Sequence, residues 1–230
     1  MRLFHLSDLH IGKRVNEFSM IEDQKYILER ILDLAEKEMP DGVILAGDIY
    51  DKQIPSAEAV QVFDEFITKL AERKLPVFVI SGNHDSAERL AFGGRLLNSR
   101  GIYLSPVYDG TVMKIPIADQ YGTVWIHLLP FIRPAAVRRV FEDESDLITD
   151  VQSAVRAVIS TWRSIRMREI SSWRTSLLQE RPDANRRISR SEVLIILMLQ
   201  SLRLLIIQPW GISIVLRMWE RAWCGTAERP

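Results

Sequence analysis

The stretch Val77-Phe78-Val79-Ile80-Ser81-Gly82-Asn83-His84-Asp85 decides the reading of this chain. An unbroken apolar run such as Val77–Ile80 reads as a strand covered on both faces, because a strand with one wet face alternates instead. Ser81-Gly82 lets the backbone turn. An amide, an imidazole and a carboxylate then arrive together at the strand's carboxyl end. Two earlier stretches repeat the plan: Arg2-Leu3-Phe4-His5-Leu6-Ser7 runs into Asp8-Leu9-His10, and Val43-Ile44-Leu45-Ala46 runs into Gly47-Asp48-Ile49-Tyr50-Asp51. Asp8 and His10 are two apart, so in an extended segment they point the same way and can grip one ion. Asp48 follows Gly47 at a sharp turn. Asp51 is either a second ligand or a turn residue, and the turn is the simpler reading.

Between these strands the pattern becomes helical. Residues 20–38 place Ile27, Ile31, Leu34 and Ala35 at helical spacing, with Glu29, Arg30, Asp33, Glu36 and Lys37 on the other side. Pro40 and Gly42 end that element. Pro55-Ser56 opens a second helix with Ser56 as its N-cap and Val60, Phe63, Ile67 and Leu70 as its core face. Strand and helix in alternation predict an α/β sandwich whose site lies beyond the strands' carboxyl ends.

Further on, residues 90–97 read as a short helix and 102–104, 112–117 and 124–129 as strands. The last two form a hairpin about the turn at 119–122. Residues 134–141 read as a short basic helix carrying Arg138 and Arg139. Residues 146–159 read as an amphipathic helix with Leu147, Val151, Ala154, Val155 and Val158 on one side. His5 and His127 sit among apolar neighbours and read as structural.

The chain has 230 residues, 47% of them hydrophobic and 26% charged, enough for a packed core. Its net charge of zero hides a division. Residues 1–160 hold 18 Lys and Arg against 24 Asp and Glu, whereas residues 161–230 hold 12 against 6. The single cysteine, Cys224, cannot form an internal disulfide, which fits a reducing cytoplasm. The amino terminus enters a strand directly, with no leader pattern.

Asp8, His10, Asp48, Asn83 and His84 make a hard donor set of oxygen and some nitrogen. It suits manganese, magnesium, iron or zinc in an open site rather than a closed thiolate cage. A carboxylate shared by two metals holds them roughly 3.5–4 Å apart for attack on a phosphoester, and Asp48 on the middle strand is the natural bridge. His84 can approach a phosphate without being a ligand, with Asp85 orienting its ring.

Asp8-x-His10, Gly47-Asp48-x-x-Asp51 and Gly82-Asn83-His84-Asp85 resemble the first three motifs of the calcineurin-like metallophosphoesterases. Leu6-Ser7-Asp8-Leu9-His10-Ile11-Gly12 and Leu45-Ala46-Gly47-Asp48-Ile49-Tyr50-Asp51 are similar in particular to the nuclease subunits of bacterial SbcCD complexes. The resemblance covers residues 1 to about 160. It implies a two-metal site, usually manganese, that hydrolyses DNA as an exonuclease and endonuclease in recombination and repair, beside an SbcC-type ATPase. Asp8 and His10 would bind one metal, Asn83 the other, and Asp48 would bridge. His84, with Asp85, would be catalytic, stabilising developing charge or protonating the leaving oxygen. The alternatives are a phosphoesterase acting on small phosphoesters and a non-catalytic remnant.

The pattern stops after residue 160. The family's later histidine motifs are missing: residues 161–230 contain no His, Lys, Phe or Tyr, yet hold five of the six Trp. A slipped reading frame accounts for all of this. With suitable synonymous codons, one constant single-base shift turns Thr161-Trp162-Arg163-Ser164-Ile165-Arg166-Met167-Arg168-Glu169 into His-Met-Glu-Val-Asp-Pro-Asn-Glu-Arg. The same shift turns Gln208-Pro209-Trp210-Gly211-Ile212-Ser213-Ile214-Val215-Leu216 into Ala-Leu-Gly-His-Ile-His-Arg-Pro. The expectation is therefore an incomplete sandwich over 1–160 lacking its second set of strands, followed by an out-of-frame tail over 161–230 that forms no domain. Gln200, Arg203, Gln208 and Pro209 interrupt the apolar run at 193–216, so no membrane span is expected there. A spanning helix needs ~20 mostly apolar residues, and a central Arg costs roughly 2.5–3.5 kcal/mol.

Overall fold

The computed structural model describes residues 2–119, 122–170, 193–196 and 213–215. β1 (Arg2–Leu6) leads through a small hairpin, β2 (Arg14–Val15) and β3 (Phe18–Ser19), into α1 (Ile21–Glu38). β4 (Gly42–Ala46), α2 (Ala57–Glu72) and β5 (Val77–Ile80) follow. Two single-turn helices, α3 (Ala87–Leu90) and α4 (Gly94–Leu97), precede β6 (Ile102–Leu104). Then come β7 (Met113–Asp119), β8 (Gly122–Leu128), α5 (Pro134–Arg138) and α6 (Val151–Ile170). β9 (Val193–Ile196) and β10 (Ser213–Val215) are the last described elements.

The main sheet runs β10-β1-β4-β5-β6 with every neighbouring pair parallel. Side chains alternate between its faces. Phe4, Val43, Leu45, Val77, Val79, Ile102 and Leu104 join a core with α1 and α2. Leu3, Ile44, Ala46, Phe78 and Ile80 point the other way, onto Ile115 of β7 and Ile126 and Leu128 of β8. Both faces are covered, which is why β4 and β5 are apolar throughout. A third cluster, including Tyr108, Ile132, Val137, Ile148 and Val158, lies under α5 and α6.

The α/β sandwich is the architecture the motifs implied. On its second face β7 and β8 form the antiparallel hairpin expected from the sequence, joined by β9 in a three-stranded sheet. Two short segments of the tail thus pair with sheets, β9 beside β8 and β10 beside β1. The rest of residues 171–230 lies outside the described residues, and with it most of the apolar run at 193–216. Among the described residues no helix is long and apolar enough to cross a membrane.

Local differences have physical causes. α1 turns Ile21, Gln24, Leu28, Leu32 and Ala35 inward, a stripe next to the one read from Ile27, Ile31 and Leu34, which are only half-buried. On α2, Ser56 caps as expected, its Oγ accepting the Ala59 N–H at 3.2 Å. Val60 nevertheless faces solvent, and Ala59, Val62 and Phe66 join Phe63, Ile67 and Leu70 inside. The single helix over 90–97 is split into α3 and α4, with Gly93 between them at φ +75°. The helix over 146–159 starts late, at Val151. The Ser153 N–H donates to Asp150 Oδ1 at 2.7 Å and the Asp150 N–H donates to Ser153 Oγ at 3.0 Å. That reciprocal cap fixes the helix start and leaves Leu147 exposed.

Candidate metal centre

The β1–β4 ladder continues past the strand ends. Asp8 N–H donates to the Gly47 carbonyl (3.3 Å), His10 N–H to Asp48 (2.9 Å), Ile11 N–H to Ile49 (2.8 Å) and Asp51 N–H to Ile11 (3.2 Å). Two turns that would otherwise be loose loops are thereby zipped side by side, and they carry Asp8 and His10 to Asp48. All three stand in left-handed backbone, with φ of 59° at Asp8, 44° at His10 and 50° at Asp48. Such conformations cost of order 1–3 kcal/mol each in a non-glycine residue and persist where neighbours over-determine them.

The donor atoms of Asp8, His10 and Asp48 lie within 4.8 Å of one another. His10 Nε2 is 4.0 Å from Asp8 Oδ1, and His10 Nδ1 is 3.9 Å from Asp51 Oδ1. His10 Nδ1 is a buried nitrogen with no hydrogen-bond partner. The Asp48 side chain is buried. Gly82 backs directly onto it, leaving no room for a Cβ. Two carboxylates and an imidazole converging at this range fit a divalent cation by both chemistry and spacing.

From β5, His84 sends its backbone N–H to Asp48 Oδ1 at 3.1 Å. Its exposed ring meets His10 edge-on, with centroids 4.8 Å apart. Asn83 is exposed on the same turn, between Gly82 and His84.

Asp85 does something other than orient the His84 ring. Its buried carboxylate accepts three backbone N–H groups, from Gly82 (2.7 Å), Tyr50 (2.9 Å) and Ile49 (3.1 Å). It therefore ties the turn after β5 to the turn after β4. Burial pushes the Asp85 carboxyl above its ordinary value, the three donors oppose that, and nearby Asp48 adds to the rise. The partner of the His84 ring is the Asp51 carbonyl, 3.1 Å from Nδ1. Asp51, read from sequence as a turn residue, thus touches both histidines, one through its carboxylate and one through its carbonyl.

Gln24 was invisible as a site residue. It lies buried in the first turn of α1. Its Nε2 donates to the carbonyls of Leu9 (3.1 Å) and His10 (2.8 Å), while its Oε1 accepts the Gly12 N–H (2.9 Å). Its one sequence signal is a polar side chain on an otherwise apolar stripe. His5, three residues before Asp8, is structural as expected: burial lowers its pKa, and its Nε2 is buried without a hydrogen bond. His127 is buried on β8, and Arg138 is engaged with the Ile148 carbonyl at 2.7 Å.

A family model described as calcineurin-like phosphoesterase matches residues 1–179. The chain is also 37% identical over 145 residues to the SbcD component of the SbcCD nuclease of Staphylococcus epidermidis. That alignment takes in 63% of this chain and 38% of the relative, so the chain spans well under half of the relative's length.

Proposed function

The chain belongs to the calcineurin-like phosphoesterase family, and on that premise we propose that it carries part of the site of a metal-dependent DNA nuclease subunit. In this reading it acts in the cytoplasm on duplex ends and on single-stranded or hairpin DNA, beside an SbcC-type ATPase, in recombination and repair. The observation that carries the proposal is the convergence of Asp8, His10 and Asp48 at neighbouring sheet tips. The name of the relative supports the choice of DNA over small phosphoesters.

Asp8 and His10 would hold one cation, Asp48 would be shared with a second, and Asn83 would be a ligand of that second ion; manganese is our assignment. Bound there, the metals would polarise the phosphoryl oxygens and supply a nucleophile at neutral pH. The other duties belong to the chain's own residues. A carbonyl only accepts, so the Asp51 oxygen fixes His84 Nδ1 as the protonated nitrogen. Nε2 is then the atom whose proton comes and goes, as protonation of a leaving oxygen requires. Asp85 holds the turn that presents this ring.

We further infer that residues 161–230 are read one base out of frame and that the lost histidines leave the chain impaired. Sequencing the coding DNA around Ser160 tests the first claim: a neighbouring frame encoding Gly-His-Ile-His is predicted, and its absence contradicts it. For the second, this chain and a frame-restored version are assayed with manganese on linear duplex DNA, hairpin DNA and a small phosphodiester. The account predicts DNA cleavage by the restored chain and far less by this one. Equal activity contradicts the impairment. Cleavage of the small ester alone would favour the small-substrate reading, and no metal binding at all would favour the remnant.

A further inference from the structure

Gln24 is the only polar member of the buried stripe of α1, and its amide is wholly spent on the turn that carries His10. Nε2 bridges the carbonyls of Leu9 and His10, and Oε1 takes the Gly12 N–H. The geometry points to Gln24 as a positioning residue of the metal centre, one that holds residues 9–12 in the kink from which the His10 imidazole faces Asp8 and Asp48. This rests on the reading of Asp8, His10 and Asp48 as ligands.

The kink needs an outside hold. His10 sits at φ 44° and Gly12 at φ 90°, and at His10 such a conformation persists only when the surroundings over-determine it. The ladder to β4 secures the N–H groups of His10 and Ile11, and Lys13 N–H reaches the His10 carbonyl at 3.0 Å. Gln24 secures the other side of the turn, two carbonyls and one N–H together. Two donors and an acceptor at that reach define glutamine. Glutamate lacks the donors, lysine and arginine lack the acceptor, and asparagine is one methylene short. The residue is anchored in its helix: the Gln24 backbone N–H donates to the Met20 carbonyl at 2.9 Å, and Ile21 and Leu28 of the same stripe are buried.

The test compares Gln24→Met, which keeps the bulk and loses all three bonds, with Leu28→Val, which weakens the same helix face one turn away. Hydrogen exchange of the Gly12 amide is followed by NMR in metal-free protein. Manganese affinity is measured by calorimetry on the same full chains. Gln24→Met is expected to speed Gly12 exchange and to weaken manganese binding, each by about tenfold or more. Leu28→Val is expected to lower the urea midpoint while leaving both readouts near wild type. Should Gln24→Met fail to fold, Gln24→Asn, with the same groups on too short a stem, is expected to show the same two losses. The inference is overturned if the Gln24 variant binds manganese as tightly as Leu28→Val and protects Gly12 equally. If the wild-type chain binds no manganese, the ligand reading fails, and the exchange rate alone decides whether Gln24 holds the turn.

Discussion

Gly82 lies so close against Asp48 that a Cβ added to it would stand 2.0 Å from Asp48 Oδ1 and 2.2 Å from Asp48 N. What is needed is space rather than unusual backbone, since Gly82 is not among the glycines with positive φ. Rotating the Asp48 carboxylate relieves the first clash and not the second, which involves backbone. Gly82→Ala should therefore cost about 1–3 kcal/mol of stability, as overpacking does, and weaken manganese binding at least about tenfold. Urea unfolding and calorimetry check the two parts. Wild-type binding in this variant would mean that Asp48 is not a ligand.

Asp85 is predicted to show itself first in stability. Removing its carboxylate leaves three buried N–H groups without their acceptor, each worth about 1–3 kcal/mol when stranded. Asp85→Ala should lower the unfolding free energy by roughly 3 kcal/mol or more, with Asp85→Asn intermediate because it keeps one oxygen. An Asp85→Ala chain with unchanged urea midpoint and altered turnover would return Asp85 to a chemical role.

The carboxylate of Asp51 faces His10 while its carbonyl faces His84. Asp51→Ala deletes only the first contact. Manganese affinity should fall by about tenfold, in line with the loss of a group that orients a ligand, and Asp51→Asn should recover much of it through its remaining oxygen. An affinity unaffected by Asp51→Ala would show that His10 is oriented by its turn alone.

His5 links stability to pH. Burial lowers its pKa below the ordinary 6.5. Between the two values the unfolded chain binds a proton that the folded chain resists. The contribution is complete above pH 6.5 and is lost as pH falls toward the folded value. In metal-free buffer the urea midpoint should drop between about pH 7.5 and 5.5, and His5→Gln should drop less. An identical fall in both proteins would contradict this.

The three parallel strands and the donors at their tips were legible because buried strands are contiguous apolar runs and each emptied into Asp, His or Asn. Other parts were hidden for particular reasons. A 3.6-residue period admits neighbouring stripes, so Ile27 and Val60 stood in for Leu28 and Ala59. Gln24 works through backbone groups, which leave no pattern of their own. Asp51 differs from an ordinary turn aspartate only in what faces it. The late start of α6 had a visible cause, Asp150 and Ser153 at capping distance in sequence, but the apolar spacing from Leu147 outweighed it. The second sheet was half legible, as the β7–β8 hairpin, while β9 lies in the tail read as out of frame, where no element was assigned.

The central claim is that Asp8, His10 and Asp48 close on a metal ion. It is tested most directly by titrating manganese into the chain while following the electron paramagnetic resonance signal of the free ion, with Asp48→Asn as the comparison. The account predicts that the chain removes free manganese saturably and that Asp48→Asn loses most of that binding. Equal loss of signal in both proteins, or no loss in either, would contradict it.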